Sequence, residues 1–279
     1  MKRTFVVIIL LILVAPTVRA ETANEWQFQI TPYLWLPTIE GALNYAPPPG
    51  GGGGPVVSVG PTDWLELING FLLLNAGAKK GRLSFFTDIV YLSMRHNHDG
   101  EVKSVDGNLP AGPITIPVSA DITLNTQSDL DGLAWTLAAG YTVKETDSSV
   151  TDIFAGVRFL NVSASSSWNL TADITSPDGT QVLAAQGTIG RSTELTDGIV
   201  GVRGHFGVGD SKQWSVPYYL DIGAGSSELT WNAMFGLSRT YGWGDLILSY
   251  RHLEYDEDDS GLLQSFSFSG PAFGARFRF

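Results

Sequence analysis

The sequence predicts an all-β chain that closes into one transmembrane antiparallel up-and-down barrel of about ten strands, with eight or twelve as the neighbouring even solutions. Three observations point there. Hydrophobicity alternates with a period of two through most of residues 26–279, which is the side-chain period of a strand rather than of a helix. The connections between the alternating segments are short and long in turn. In the last segment Pro271, Phe273, Ala275, Phe277 and Phe279 share one parity, and Gly270, Ala272, Gly274, Arg276 and Arg278 share the other. Successive side chains of a strand point to opposite faces, so this strand has one apolar aromatic face and one small or cationic face.

Taken in order, the first strand sets Trp26, Phe28, Ile30, Leu34 and Leu36 against Gln27, Gln29, Thr31, Tyr33 and Trp35. Residues 69–78 and 82–95 form the next two, joined by the tight turn Lys79-Lys80-Gly81-Arg82, although both faces of Leu83 to Met94 are apolar except at Ser84 and Asp88. Leu133, Trp135, Leu137, Ala139 and Tyr141 then alternate with Ala134, Thr136, Ala138 and Gly140. Ile153, Ala155, Val157 and Phe159 alternate with Asp152, Phe154, Gly156 and Arg158, and Val200, Val202 and Phe206 with Asp197, Gly201, Arg203 and His205. The strands at 218–224, 231–238 and 246–251 follow the same rule, and the terminal strand makes the tenth.

Short turns fall at 79–82, 144–149, 207–213 and 241–244, and long polar connections at 37–68, 96–129, 164–191 and 257–265; only Ser226-Ser227-Glu228 is short where a long one is due. Short periplasmic turns and long external loops are the pattern of bacterial outer-membrane barrels. Ile114, Ile116, Val118, Ile122 and Leu124 keep alternating inside the second long connection, so some strands are expected to project beyond the membrane or to form an extra hairpin. Residues 62–68 read as one helical turn capped by Thr62. Pro47-Pro48-Pro49 and the glycines that follow read as a flexible loop tip, without the Lys-Ser/Thr of a nucleotide loop.

Residues 1–20 have the build of a cleaved secretory signal peptide: Lys2 and Arg3, an apolar run from Phe5 to Ala15, then Val18-Arg19-Ala20. The barrel domain is expected over 21–279. Beyond the signal segment 14 basic residues face 28 acidic ones, a formal charge of −14, which argues against nucleic acid as a partner. With no cysteine there is no disulfide or thiolate metal site. An exported chain without a later apolar helix enters a membrane only as a closed barrel, because lipid satisfies no open backbone group.

At Tyr33-Leu-Trp-Leu-Pro37, Ala78-Lys-Lys-Gly-Arg82, Gly242-Trp-Gly-Asp245 and Arg276-Phe-Arg-Phe279 the chain resembles a family of mostly uncharacterised, porin-like small outer-membrane β-barrel proteins of Gram-negative bacteria. The resemblance implies the cell outer membrane and a barrel over essentially the whole chain beyond the signal segment. It implies no activity and no functional residue. The alternating Phe273, Phe277 and Phe279 also resemble the signal by which the barrel-assembly machinery takes its clients.

The face assigned to the lumen carries Asp88, Asp152, Arg158, Asp197, Arg203, Asp221, Arg251, Arg276 and Arg278. Charges of both signs in a narrow barrel are expected to pair into a plug, the alternative being a constricted pore whose selectivity follows them. Arg276 and Arg278 are expected to meet Asp152 or Asp88. Trp26, Trp35, Tyr91, Trp135, Tyr141, Trp214, Trp231, Trp243 and Tyr250 are candidates for the interfacial aromatic girdles.

Catalytic and metal readings are thinner. His96 and His98 share a face with Glu101 nearby, but a mobile polar loop accounts for them more simply. His252 and Glu254 share a face near the outer rim, where a hydrolase would set a base and its orienting carboxylate. His205 lies near a periplasmic turn. Ser163, Ser165, Ser166 and Ser167 follow a strand end without a Gly-x-Ser-x-Gly context. The acidic run 256–259 lacks the calcium-loop ladder.

The expectation is therefore a non-enzymatic outer-membrane protein, a structural barrel or a narrow passive channel for small solutes, with no cofactor or metal. Its partners would be outer-membrane lipid, lipopolysaccharide and the barrel-assembly machinery, with the oligomeric state open. The alternatives are an outer-membrane enzyme acting on lipid or peptide through a loop-side His/carboxylate site, and a soluble periplasmic sandwich or lipocalin-like barrel.

Overall fold

The computed structural model describes residues 25–43, 56–98, 102–111, 114–176, 179–209, 213–256 and 263–279. The signal segment 1–20, the Pro/Gly tip at 47–54, Glu101 and residues 257–260 lie outside them. The strands are β1 (Gln27–Trp35), β2 (Thr38–Leu43), β3 (Val56–Val59), β4 (Ile68–Lys80), β5 (Leu83–His98), β6 (Val102–Ala111) and β7 (Ile114–Thr146). They continue as β8 (Ser149–Ser176), β9 (Gly179–Val208), β10 (Trp214–Gly225), β11 (Leu229–Tyr241), β12 (Gly244–Asp256) and β13 (Leu263–Arg278), with one short helix, α1 (Pro61–Leu65).

Ten of these strands close into an antiparallel barrel in the order β1-β4-β5-β7-β8-β9-β10-β11-β12-β13, and β13 pairs back on β1. The seam runs from Trp35 opposite Ala272 to Gln29 opposite Arg278, and Phe28 and Phe279 exchange backbone hydrogen bonds of 3.1 and 2.9 Å at its end. Closure removes every free edge from the wall. The turns at 81–82, 147–148 and 242–243 lie at the end that holds this seam. Gly81, at φ 57°, supplies the left-handed residue that a two-residue hairpin needs.

The long connections are more ordered than polarity suggested. Thr38 pairs with Ser269 in the register that Trp35 and Ala272 set, so β2 prolongs β1 along β13 past Leu36-Pro37, and β3 adds a hairpin outside it. α1 is the expected helical turn, but it begins at Pro61, a residue suited to a first helical position, rather than being capped by Thr62. The described residues of the 96–129 and 164–191 segments are strand. β7 runs for 33 residues, β8 for 28 and β9 for 30. Above Asp197, the last residue of β9 paired with β10, β9 has β8 as its only barrel neighbour and the pair continues out of the wall. At roughly 3.3 Å per residue, the 16 residues of β8 beyond Leu160 reach about 50 Å. With β6 on the far side of β7, this makes a four-stranded sheet β6-β7-β8-β9 standing on the barrel. Ser163 and Ser165–Ser167 therefore lie inside β8, not after it. Ser166 and Ser167 join cross-strand hydroxyl contacts of 3.2 Å to Ser128 and Thr188.

In the wall, parity decides which medium a side chain meets. Along β12, Leu246, Leu248 and Tyr250 are exposed while Ser249, Arg251, Leu253 and Tyr255 are buried. Ile153, Val200, Ile222, Phe235 and Phe273 extend the exposed apolar belt around the barrel. Trp26, Tyr141, Trp214 and Trp243 rim its seam end; Tyr91, Trp135, Trp231 and Tyr250 rim the other. Trp35 is a correction to the girdle: it is 2% exposed and points inward, as its parity with Tyr33 requires.

Candidate functional site

Four layers fill the lumen. Toward the sheet-bearing end, Trp35, Leu73, Val90, Leu92, Leu160, Leu195, Leu253 and Tyr255 form an apolar cluster contributed by strands all around the barrel. This explains the two apolar faces of β5: the outer face meets the belt and the inner face, through Val90 and Leu92, meets the plug. The lumen is thus less polar than alternation alone implied.

Below the plug lie two ion-pair networks. Arg251 on β12 reaches Asp88 on β5 at 2.8 Å, across the barrel and four strands away in sheet order. Tyr33 donates to Asp88 at 3.0 Å and accepts from Arg251 at 3.0 Å, while the Arg251 guanidinium lies 4.7 Å from the Trp35 ring centre. Arg158 pairs with Asp221 and donates to Thr136 at 3.3 Å and Thr230 at 3.2 Å. Both side chains of the Arg158–Asp221 pair are fully buried. A guanidinium with its donors spread over three strands acts as a cross-brace, because its fork fixes direction as well as charge.

Next, Phe86, Phe154 and Tyr219 cluster across the lumen with ring centres 5.0–6.2 Å apart, Phe154 stacked on Tyr219 and Phe86 edge-on to both. Arg203 caps this cluster, 3.8 Å over the Phe86 ring, and reaches Asp152 at 3.5 Å. Asp152 also accepts from Ser84 at 3.0 Å and Thr142 at 2.7 Å.

At the seam end Arg276, at 3.7 Å, and Arg278 both pair with Asp245. This corrects the expected partners. Asp245 stands directly opposite Arg276 in the β12–β13 register, while Asp152 is held by Arg203 and Asp88 by Arg251. Asp197 serves a turn instead: its carboxylate accepts the Ser227 N–H at 2.9 Å, and Ser226 bonds Thr196 through backbone and side chain. Those bonds let the β10–β11 connection stay short on the side of long hairpins.

A second polar constellation sits on the outside of the wall. His252 and Ser269 are directly opposed across β12–β13, and Trp231 and Glu254 across β11–β12. His252 Nδ1 lies 2.5 Å from Ser269 Oγ, and His252 Nε2 lies 3.0 Å from Glu254 Oε2. The Trp231 indole donates to the same Glu254 oxygen at 2.9 Å, and its ring centre lies 4.3 Å from that of His252. The sequence offered His252 and Glu254 as a same-face pair. Ser269 was not legible, because 17 residues of chain separate it from His252 and only strand register brings them together.

The other histidines are plainer. His96 lies exposed in β5 opposite Ser128, not in a mobile loop, and His98 continues that strand opposite Thr126. His205 lies half-buried in β9 near the seam end. Among the described residues no three His, Asp or Glu side chains stand close enough to share a metal ion.

No protein-family model matches the chain, and no curated protein matches it either. Among solved structures it is similar to Ail of Yersinia pestis, at 7% identity over 92% of this chain and 99% of that one with a TM-score of 0.31. It is similar to the transport unit of the autotransporter AIDA-I from Escherichia coli, at 11% identity over 96% and 94% with a TM-score of 0.30. A monoaromatic hydrocarbon channel, the TodX deltaS2S3 mutant, gives 12% identity over 92% and 91% with a TM-score of 0.33. Superposition this loose says nothing about what the present chain does; its own strand pairing establishes the barrel.

Proposed function

We propose that the protein is an integral outer-membrane barrel with a sealed lumen, a scaffold that holds a β-sheet away from the membrane surface rather than a passive channel. The apolar belt between two aromatic rims supports the lipid-facing placement, since a surface of this kind is costly in water. The observation that carries the sealed lumen is the Arg251–Asp88 bridge beneath the apolar plug. A solute on the axis would have to break a buried ion pair and part Trp35, Leu253 and Tyr255. The N-terminal segment 1–20 would direct export, Phe273, Phe277 and Phe279 would serve as the assembly signal, and the outer rim would meet lipopolysaccharide.

Planar-bilayer recording of the purified, folded protein tests the sealed lumen. No discrete conductance steps are expected; steady single-channel openings from the wild type would overturn it. Fractionation with the outer membrane and heat-modifiable gel migration are the expected signs of location and closure. Extraction without detergent would return the chain to the soluble alternatives.

A further inference from the structure

We infer that the outer wall of the barrel carries a Ser-His-Glu hydrolytic site, Ser269–His252–Glu254, acting on long-chain fatty acyl esters of the surrounding lipid. The inference rests on the exterior facing lipid, as proposed above, and adds a chemistry to that scaffold.

The parts stand in the order that nucleophilic catalysis requires. Ser269 Oγ is within hydrogen-bond reach of one imidazole nitrogen and Glu254 holds the other, at 2.5 and 3.0 Å. With Nε2–H donating to Glu254, the tautomer leaves Nδ1 free to accept the serine proton. The two nitrogens are exchanged relative to the serine-protease arrangement, but their roles are the same. Trp231 lies against the imidazole with its ring tilted by 35° and donates to the carboxylate, so both are held from a third strand. A rigid wall is a good support for such a set, since strands hold side chains more tightly than loops do.

The depth of the site selects the substrate. Below it on the same face lie Tyr250, Leu248 and Phe273, exposed and apolar; above it lie Ser267, Asp256 and Glu40. Ser269 therefore sits where belt gives way to polar rim, the level at which an ester carbonyl stands between its acyl chain and its headgroup. His252 and Glu254 keep 24% and 33% of their side-chain surface open, enough for an ester to reach them.

In the reaction Ser269 Oγ attacks the acyl carbonyl carbon while His252 takes the serine proton. The carbonyl carbon–alkoxy oxygen bond breaks, and the departing alkoxide receives that proton as an alcohol. Water then attacks the acyl-serine, giving its proton to His252. The acyl carbon–Ser269 Oγ bond then breaks, the fatty acid leaves, and His252 passes the proton it took from water to Oγ. Ser269 and His252 are catalytic residues; Glu254 and Trp231 position the imidazole.

The test uses the full-length barrel in detergent micelles, with its folded state confirmed by heat-modifiable migration. A fluorophosphonate probe is expected to label Ser269 in the wild type and in the neighbouring control Ser267→Ala, but not in Ser269→Ala or His252→Ala. Release of p-nitrophenol from p-nitrophenyl palmitate should fall by ~10³-fold or more in those two variants, the scale on which loss of a triad member acts. Glu254→Gln should lower kcat with KM unchanged, and Glu254→Asp should restore part of it, a pattern that a merely structural carboxylate would not give. Fatty acid released from phosphatidylethanolamine or from purified lipopolysaccharide separates the two lipid sources. Folded wild type that neither takes the probe nor releases fatty acid from any of the three esters would overturn the site. Failure to insert in membranes, with labelling intact in micelles, would instead overturn the lipid-facing reading.

Discussion

The lower and upper halves of β8 are built from the same strand geometry and behave as two materials. Between Asp152 and Leu160, buried Asp152, Phe154, Arg158 and Leu160 alternate with exposed Ile153, Ala155 and Val157. Between Ser163 and Thr175 the division weakens: Trp168, Leu170 and Ile174 on one parity are only half-buried, Ser167, Asn169 and Thr175 on the other are exposed, and none of these side chains is buried. β9 repeats the contrast, with Ile199 buried and Val200 exposed in the wall, but Val182, Leu183 and Ile189 all well exposed beyond it. The wall sorts side chains fully because a filled lumen lies on one face and the exposed belt on the other; in the standing part of β8 the alternation persists in weaker form, with neither parity buried.

The largest test of this difference is the buried brace. Arg158→Ala strands the Asp221 carboxylate inside the barrel and is expected to cost about 3–5 kcal/mol, read as a lowered urea midpoint for loss of the heat-modifiable form. Arg158→Met with Asp221→Leu should recover much of that loss, because removing both charges leaves no buried ion. Next comes the outer face. Val157→Arg, at mid-height of the apolar belt opposite Leu137, should cost about 2–4 kcal/mol when unfolding is measured from lipid vesicles. Ile189→Arg, on the standing sheet, should stay within about 0.5 kcal/mol. Equal costs at the two sites would erase the distinction between wall and sheet.

The smallest effect belongs to the rim pair. The Asp129 carboxylate accepts from Arg95 Nε at 2.5 Å and from Gln127 Nε2 at 2.8 Å, and the Arg95 bond above all holds that carboxyl below the usual carboxylate range. A carboxyl with a depressed native pKa lends stability above its unfolded value and loses it as the pH falls through the native one. Because the pair is exposed, solvent screens it and the midpoint should scarcely move. NMR titration should show the Asp129 carboxyl rising toward its ordinary range in Arg95→Ala. A titration unchanged by that substitution would remove Arg95 as the cause.

Much of this architecture was legible. Parity alone placed Arg158, Arg203, Arg251 and Asp221 on one face, and the count of alternating segments gave about ten wall strands, with eight and twelve left open. The same parity put Trp35 with Tyr33 on the lumen side, against its aromatic resemblance to a girdle. The standing sheet was legible only in part: Ile114, Ile116, Val118, Ile122 and Leu124 signalled the projecting end of β7, whereas Ser163–Ser167 in β8 lack hydrophobic contrast. The outer plug was masked for the opposite reason, since Val90 and Leu92 are apolar inside a barrel whose interior was expected to be polar. Of the outer-wall constellation, His252 and Glu254 were visible as an i, i+2 pair, whereas Ser269 and Trp231 were not.

The sequence by itself determined the strand class and the face each charge takes, because these depend on neighbours one or two residues apart; it left the strand number at eight, ten or twelve, and closure of β13 on β1 set it at ten. Tertiary structure decided the partners. Asp245 rather than Asp152 meets Arg276 and Arg278, Asp88 crosses the lumen to Arg251, and Ser269 comes to His252, each through the register of strands remote along the chain. Register is a property of the closed barrel: a slip of one residue would invert every face at once, so only the whole ring of pairings fixes which groups touch.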